Sequence, residues 1–145
     1  MLHSYKYPRM LVTVDCLIFQ KGVNDLYKIL LIKRGNDPFK GQFALPGGFP
    51  EMDELLVDAA KRELMEETGL TMVHLEPLST FDAIERDPRG RNISVTFYGF
   101  ARADSKITAG DDAAEVQWFP LNRLPHLAFD HQQIIGFAIE KLGLQ

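Results

Sequence analysis

The pattern of hydrophobic and polar positions divides the chain into short strand-like segments around one long helical segment. Two apolar runs near the N-terminus, residues 10–19 and 26–33, are rich in β-branched side chains, and turn-forming residues separate them. This pattern predicts two strands that form a hairpin. Further extended segments occur at 72–84, 93–103 and 115–119.

The helical segment in the middle of the chain has recognisable ends. Asp53 is a good N-cap, because its carboxylate can accept a hydrogen bond from a free backbone N–H of the first turn. Gly69 stands where a left-handed residue would end the helix. Between them, Val57, Ala60 and Leu64 share one side at 100° per residue, which predicts the face that meets the core.

A second helix is predicted near the end of the chain, with Asp130 as its N-cap. Its apolar face would consist of Ile134, Ile135, Ala138, Ile139 and Leu142. Strands around one helix, followed by a second helix, predict an α/β protein of the mixed (α+β) kind, in which helices cover a sheet.

Length and composition are those of a single globular domain covering residues 1–145. A chain of this size buries about two thirds of its unfolded surface, and its contents of 46% hydrophobic and 25% charged residues are ordinary. No apolar run is long enough for a transmembrane helix, and the N-terminus lacks a signal peptide's apolar region. The single cysteine, Cys16, excludes an internal disulfide. We therefore expect a cytoplasmic protein without a membrane partner.

The negative charge is concentrated in the helical segment. Residues 51–67 carry seven acids and two bases, whereas the net charge of the whole chain is −4. The remainder is thus close to neutral and shows no basic face, which argues against nucleic-acid binding. A polyanionic substrate would approach such an acidic segment only with metal ions screening it.

Three acids of this segment, Glu63, Glu66 and Glu67, lie within an arc of about 100° near the C-terminal end of the predicted helix. Like charges at this spacing repel by a few tenths of a kcal/mol, and the helix dipole adds about 0.3–1 kcal/mol against an anion there. Arg62 can neutralise part of the cluster, and a hard divalent cation suits an all-oxygen set. The alternative interpretation is a solvated acidic helix face.

The spacing around these acids favours the metal. Gly48 is followed after five residues by Glu54, and after seven more by the segment 62–70, RELMEETGL. Residues 48–70 thus match the Nudix box, G-x5-E-x7-R-E-U-x-E-E-x-G-U with U aliphatic, at every specified position. The preceding LPGG at 45–48 also occurs in that family. The chain therefore resembles the Nudix hydrolases, which cleave nucleoside diphosphates linked to another group.

The resemblance implies an α/β/α sandwich with a mixed β-sheet and a requirement for Mg2+ or Mn2+. It implies that Glu66 and Glu67 are direct metal ligands, that Glu63 is either a ligand or, in some branches, the base, and that the backbone carbonyl of Gly48 is a further ligand. Arg62 and Glu54 resemble the pair that positions this cluster. Gly47 and Gly48 would permit close approach of a metal or phosphate.

The general base is left open between the box and a later loop. In several Nudix branches it lies near the position of residues 110–115, where Glu115, Asp112 and Asp111 are candidates in that order. Alternatively, Glu115 only pairs with a basic side chain or caps a turn. His131 is interpreted as a surface residue at a helix N-terminus.

The remaining segments are similar to bacterial and archaeal ADP-ribose pyrophosphatases. These segments are YKYPRMLVTVDCLIF at 5–19, RDPRGRNISVTF at 86–97, AGDDAAEVQWFPL at 109–121 and LAFDH at 127–131. The similarity implies ADP-ribose as substrate, with AMP and ribose 5-phosphate as products. Some members of that branch carry a proline about sixteen residues beyond the box, where this chain has Arg86.

Arginines outside the box are the candidate substrate-binding residues. Bidentate contacts to phosphate or ribose oxygens would suit Arg34, Arg86, Arg89 and Arg91, together with the backbone at Gly47 and Gly48. The alternative is that Asp-Pro-Arg-Gly at 87–90 is only a β-turn between two strands.

Two alternative functions are compatible with the sequence, and so is assembly into a homodimer. Related repressors bind ADP-ribose-like ligands through a Nudix domain followed by a winged helix, for which we expect no room after the last helix here. A non-catalytic nucleotide sensor and a hydrolase of oxidised nucleoside triphosphates are therefore the alternatives. Besides a small nucleotide, the expected partner is at most a second copy of the chain, as a homodimer.

Overall fold

One mixed β-sheet forms the centre of the protein, in a computed structural model that describes residues 2, 4–110 and 113–145. Its strands are β1 (Leu11–Lys21), β2 (Tyr27–Arg34), β3 (Phe43–Ala44), β4 (Gly47–Gly48), β5 (Glu76–Phe81), β6 (Asn92–Phe100) and β7 (Ala113–Pro120). The α-helices are α1 (Leu56–Thr68) and α2 (His131–Leu142), and a short 3-10 helix, Val23–Asp25, follows β1. In the described part of the chain, no helix has the length and apolar character needed to cross a membrane.

The sheet combines local hairpins with one long-range parallel pair. Its strand order is β3-β2-β1-β6-β5, with β4 paired to β1 and β7 paired to β2. The predicted hairpin of β1 and β2 is present. β1 and β6 run parallel from Leu11 opposite Asn92 to Phe19 opposite Phe100, and the other strand pairs are antiparallel.

Alternation along β1 sends its side chains to two separate hydrophobic layers. The layer under α1 contains Val14, Cys16, Ile18, Ala59, Ala60 and Leu64. The layer under α2 contains Leu17, Phe19, Ile134, Ile135 and Ala138. These side chains are almost fully buried, and burying a Leu, Ile or Phe is worth about 1.5–3 kcal/mol. A sheet between two helices confirms the predicted α/β/α sandwich.

The ends of α1 agree only partly with the prediction. Gly69 has φ of 76° and its N–H donates to the carbonyl of Met65, so the predicted left-handed end is confirmed. The N-cap prediction for Asp53 is wrong, because the helix starts at Leu56 and its N-cap position, Leu55, makes no side-chain capping bond. Glu51 and Glu54 form a turn here, with Glu51 N–H donating to Glu54 Oε1 at 2.8 Å. Contacts of Glu54 therefore override the local N-cap preference of Asp53.

Candidate active site

A cavity of about 430 Å³ opens between the glycine strand β4, helix α1, the end of β2 and the loop before β6. It brings together most of the predicted site residues: Arg34, Gly47, Gly48, Arg62, Glu63, Glu66, Glu67, Arg86 and Arg89. Three predicted residues, Glu54, Arg91 and Glu115, do not line it.

Arg62 is the centre of the acidic cluster on α1. Its Nε and Nη2 donate to the two carboxylate oxygens of Glu54 at 2.9 and 2.8 Å. Its Nη1 donates to Glu63 Oε1 at 2.8 Å and to Glu66 Oε2 at 3.2 Å. The hydrogen bonds from Arg62 and from Glu51 N–H lower the pKa of Glu54 to about 2. Arg62 therefore holds three carboxylates in fixed positions, as a planar guanidinium can.

The glycines of β4 bring the backbone against three carboxylates. A methyl group on Gly48 would lie 2.7 Å from both carboxylate oxygens of Glu63. A methyl group on Gly47 would lie 2.5 Å from Asp15 Oδ1. Gly47 N–H donates to Glu67 Oε1 at 2.8 Å. Any side chain at either position would displace these carboxylates, so glycine is required by close approach.

The carboxylates around β4 suit a hard divalent cation. Burial raises the pKa of Glu67 to about 8; the Gly47 N–H opposes this shift and the charges of Glu63 and Asp15 add to it. Burial also raises the pKa of Glu63, although Arg62 opposes the shift. This excess of negative charge around buried oxygen donors is what a bound Mg2+ or Mn2+ would neutralise.

No ready-made metal cage exists among the described residues, since no three His, Cys, Asp or Glu side chains converge on one point. Hydrogen bonds from Arg62 and Gly47 already engage one carboxylate oxygen of each glutamate of α1. Mg2+ commonly keeps several waters and is bound by one or two carboxylates plus substrate phosphates. The donor set therefore fits such a cation in chemistry, and a complete protein cage is not needed.

Two predicted substrate-binding arginines have carboxylate partners inside the protein. Arg86 donates from Nη2 and Nε to Asp130 at 2.8 and 3.0 Å, and its side chain is 2% exposed. Asp130 occupies the predicted N-cap position of α2 but makes no capping bond. Arg89 pairs with Asp87 at 2.8 Å. Both arginines line the cavity with their charges already compensated.

Asp87 is the anchor of the loop before β6. Its carboxylate accepts hydrogen bonds from Arg89 and from Asn92 Nδ2, the latter at 2.8 Å. Burial raises the pKa of Asp87, but these hydrogen bonds outweigh it and bring the pKa to about 2.

Arg34 differs from the other arginines of the cavity. Its Nε donates to the Pro38 carbonyl at 2.7 Å, and its guanidinium lies 5.1 Å from the centre of the Phe129 ring. No carboxylate of the described residues lies within ion-pair distance of it. Burial lowers its pKa, and the nearby charge of Arg89 adds to the effect. Arg34 is thus the cavity arginine whose charge is left for a ligand.

The predicted residues outside the cavity have other contacts. Arg91 donates to the carbonyl of Asp82 at 2.6 Å. Glu115 lies on β7 and pairs with Lys33 at 3.1 Å, with its side chain 53% exposed. Asp111 and Asp112 lie outside the described residues. The roles suggested for these four side chains stay predictions.

Sequence reasoning missed several residues that line the cavity, namely Asp15, Asp87, Asn92, Phe129 and His131. The surface position predicted for His131 is wrong: the residue is 3% exposed, and its Nδ1 accepts the Leu45 N–H at 3.0 Å. Burial lowers the pKa of His131. One local indication was available for Asp15, which is the single charged residue in the apolar run 10–19.

The chain matches the model of the NUDIX domain over residues 10–136, and it belongs to the Nudix family. It is 52% identical over 135 residues to the ADP-ribose pyrophosphatase of Methanocaldococcus jannaschii, covering 92% of this chain and 76% of that enzyme. It is 35% identical to the ADPR responsive transcriptional repressor NtrR of Acinetobacter baylyi, covering 94% of this chain but 56% of the repressor.

Solved structures show the same fold. A MutT/nudix family protein from Enterococcus faecalis superposes with a TM-score of 0.88 at 33% identity, covering 98% of this chain and 65% of that protein. The NUDIX domain of NrtR from Shewanella oneidensis, crystallised with ADP ribose, gives a TM-score of 0.85 at 34% identity, covering 94% of this chain and 90% of that domain. The family and fold expected from the box are thereby confirmed.

Proposed function

We propose that this protein is a metal-dependent Nudix hydrolase that cleaves ADP-ribose to AMP and ribose 5-phosphate. The observation that carries the proposal is the meeting of the box carboxylates and an uncompensated arginine in one cavity. The 52% identity to an ADP-ribose pyrophosphatase supports the substrate.

The acidic wall of this cavity, formed by Glu63, Glu66 and Glu67, would hold Mg2+ or Mn2+ together with the carbonyl of Gly48. When bound, such an ion neutralises diphosphate oxygens and lowers the pKa of a coordinated water. Arg62 and Glu54 keep the acidic wall in position through the hydrogen bonds described above.

Arg34 is assigned to the substrate's diphosphate. A guanidinium without an internal carboxylate partner can form bidentate hydrogen bonds with phosphate oxygens. The Phe129 ring lies beside both Arg34 and Arg89, and the Phe49 ring centre lies 5.2 Å from Arg89. These faces offer a stacking surface for the adenine.

The reaction adds one water across the diphosphate. The water oxygen forms a bond to one phosphorus, the bridging P–O bond breaks, and the bridging oxygen leaves on the other phosphate. Glu63 is the candidate within the cavity to accept the water proton, in which case Glu66, Glu67 and the Gly48 carbonyl would hold the metal without it. Glu115 is the alternative base.

A second candidate function is nucleotide sensing without hydrolysis. The similarity to a repressor and to a domain crystallised with ADP ribose favours it. Against it stands the complete set of box carboxylates, which a protein that only binds nucleotide does not need.

The test is hydrolysis by the purified chain with Mg2+ or Mn2+, comparing kcat/KM for ADP-ribose, 8-oxo-dGTP and a dinucleoside polyphosphate. We expect ADP-ribose to be preferred and a chelator to abolish turnover. Glu67→Gln should reduce kcat on the order of 1,000-fold, because an altered ligand set forfeits several kcal/mol of charge stabilisation. Glu140→Gln, an exposed glutamate of α2, is the matched control.

Different outcomes separate the alternatives. A preference for 8-oxo-dGTP would contradict the substrate but leave the hydrolase. Tight ADP-ribose binding in calorimetry, with no product in Mn2+ and no effect of Glu67→Gln, would favour the sensor.

A further inference from the structure

Asp15 is a buried carboxylate of the cavity for which the proposed function has no role. It lies on β1, and its side chain is 10% exposed. Its Oδ2 accepts a hydrogen bond from Ser94 Oγ and lies 3.8 Å from His131 Nε2. Its Oδ1 accepts no hydrogen bond from any residue that the structure describes.

This oxygen is open to the cavity, because Asp15 lines the cavity and, among the described residues, the fully buried side-chain atom without a hydrogen-bond partner is Gln42 Oε1. A ligand that filled the cavity without a donor for Oδ1 would leave this acceptor unpaired, which costs about 1–3 kcal/mol. His131 does not supply the missing bond, since its Nδ1 already accepts the Leu45 N–H and its Nε2 is too distant at 3.8 Å. No lysine or arginine nitrogen in the described chain lies within ion-pair distance of Asp15. The free oxygen is therefore available to a donor that enters the cavity.

The position of Asp15 limits what that donor is. Its Oδ1 lies against Gly47, and the N–H of Gly47 binds Glu67 of the acidic wall. The carboxylate is thus next to the place where the proposed function puts the diphosphate. In ADP-ribose each phosphate carries a ribose, so the group that follows the diphosphate on either side is a sugar with O–H donors.

We infer that Asp15 accepts hydrogen bonds from ribose hydroxyls of the substrate and so helps to select a nucleoside diphosphate sugar. An ionised carboxylate is an acceptor only. A ribose hydroxyl would supply the hydrogen-bond donor that Oδ1 does not receive from the described residues. The Ser94 hydroxyl holds the opposite oxygen and orients the group. This inference rests on the proposed function and names the part of the substrate that the residue recognises.

The experiment couples changes in the protein to changes in the substrate. KM and kcat are measured for wild type, Asp15→Asn and Asp15→Ala with ADP-ribose and with four analogues, each lacking the 2- or 3-hydroxyl of one ribose. Asp15→Ala should raise KM for ADP-ribose about 10- to 100-fold, the effect of losing a hydrogen bond to a charged group. Asp104→Asn, an exposed carboxylate outside the cavity, should leave KM unchanged.

One analogue lacks the hydroxyl that Asp15 contacts, and its KM with wild type should be higher than that of ADP-ribose by a similar factor. With this analogue, Asp15→Ala should not raise KM any further. The substrate side of this comparison uses unaltered protein, so it does not depend on the variants' folding. Calorimetric Kd values for the same ligands in chelator give the same comparison if turnover is absent, so failure of the proposed function remains distinguishable.

The inference would be overturned if Asp15→Ala raised KM by the same factor with each of the four analogues as with ADP-ribose. It would also be overturned by an Asp15→Asn variant that only raises the Mn2+ concentration needed for half-maximal activity, because that result would place the carboxylate on the metal. Unchanged KM for ADP-ribose in Asp15→Ala would leave the hydrolase intact and remove Asp15 from recognition.

Discussion

The acidic wall of the cavity and its basic wall, formed by Arg86 and Arg89, hold their charges in different ways. In the acidic wall the carboxylates compete for one arginine, because Arg62 also binds Glu54. In the basic wall each arginine has its own carboxylate, Asp130 for Arg86 and Asp87 for Arg89. The acidic wall therefore carries an excess of negative charge, whereas the charges of the basic wall are already neutralised.

This difference separates arginines that are paired inside the protein from the arginine that is not. The Arg86–Asp130 pair joins the loop before β6 to the start of α2, next to Phe129 and His131 of the cavity. Arg34, which has no such partner, is the better match for a phosphate. Arginines that look alike in the sequence thus differ in whether the fold gives them a carboxylate partner.

The largest effect should come from breaking the basic wall. Asp130→Ala leaves Arg86, whose side chain is 2% exposed, without its partner, and removing one member of a buried pair costs about 3–5 kcal/mol. Glu66→Gln, in the acidic wall, should change stability by no more than about 0.5 kcal/mol. Urea unfolding in chelator measures both.

A matched double variant tests the reason for that loss. Arg86→Met with Asp130→Leu removes both charges and should recover much of the stability, since apolar replacements of buried pairs are often neutral. Equal losses in Asp130→Ala and Glu66→Gln would remove the contrast between the walls.

Among the arginines, substitution should weaken substrate binding most where the guanidinium has no carboxylate partner inside the protein. Arg34→Gln should raise KM for ADP-ribose about 10- to 100-fold, because it deletes a charge-assisted contact to phosphate. Arg91→Gln should change KM less than about twofold, since its guanidinium donates to backbone carbonyls outside the cavity. Steady-state kinetics at saturating Mn2+ compares the two, and a reversed order would contradict the assignment of Arg34.

His131, beside the basic wall, should make stability depend on pH. Burial lowers its pKa, with Arg86 and Arg34 acting in the same direction and Asp15 and Asp130 opposing. Because the unfolded chain binds a proton more readily than the folded one, stability is lost as the pH falls below the unfolded value of about 6.5, by at most about 1.4 kcal/mol per pH unit.

Urea unfolding between about pH 7.5 and pH 5, the window around that unfolded value, measures the slope. In His131→Asn the amide oxygen can still accept the Leu45 N–H but the imidazole titration is gone, so this part of the slope should disappear. An unchanged slope in the variant would assign it to other groups.

The smallest effect is expected at Glu115. A general base contributes about 100- to 10,000-fold to the rate, whereas an exposed strand residue paired with Lys33 contributes little. From this geometry we expect Glu115→Gln to lower kcat less than about twofold. A loss of 100-fold or more would instead show that Glu115 moves into the site during the reaction.

The sequence alone was sufficient for the features that depend on local spacing. Glu63, Glu66 and Glu67 come together because residues three and four apart on a helix share a face, whatever surrounds that helix. Gly69 ends the helix because a left-handed residue favours glycine. The β1–β2 hairpin is also a local feature, because its two strands are neighbours in the sequence.

Only the tertiary structure decided which distant groups meet. Asp15 and Ser94 are 79 residues apart and are joined by the parallel register of β1 and β6. Arg86 and Asp130 are 44 residues apart. Asp53 does not cap α1, which starts at Leu56. The residue after it, Glu54, is instead bound by Arg62 eight residues further along the chain.

The physical reason is that periodicity and capping report interactions within a turn or two of the chain. The partner of a buried charge is chosen by strand register, and a shift of one residue would turn Asp15 to the other face of the sheet. The grouping of the box carboxylates is therefore determined within one helix of the sequence. The pairing that leaves Arg34 without a carboxylate partner and one oxygen of Asp15 without a donor, among the described residues, exists only after the sheet and α2 have assembled.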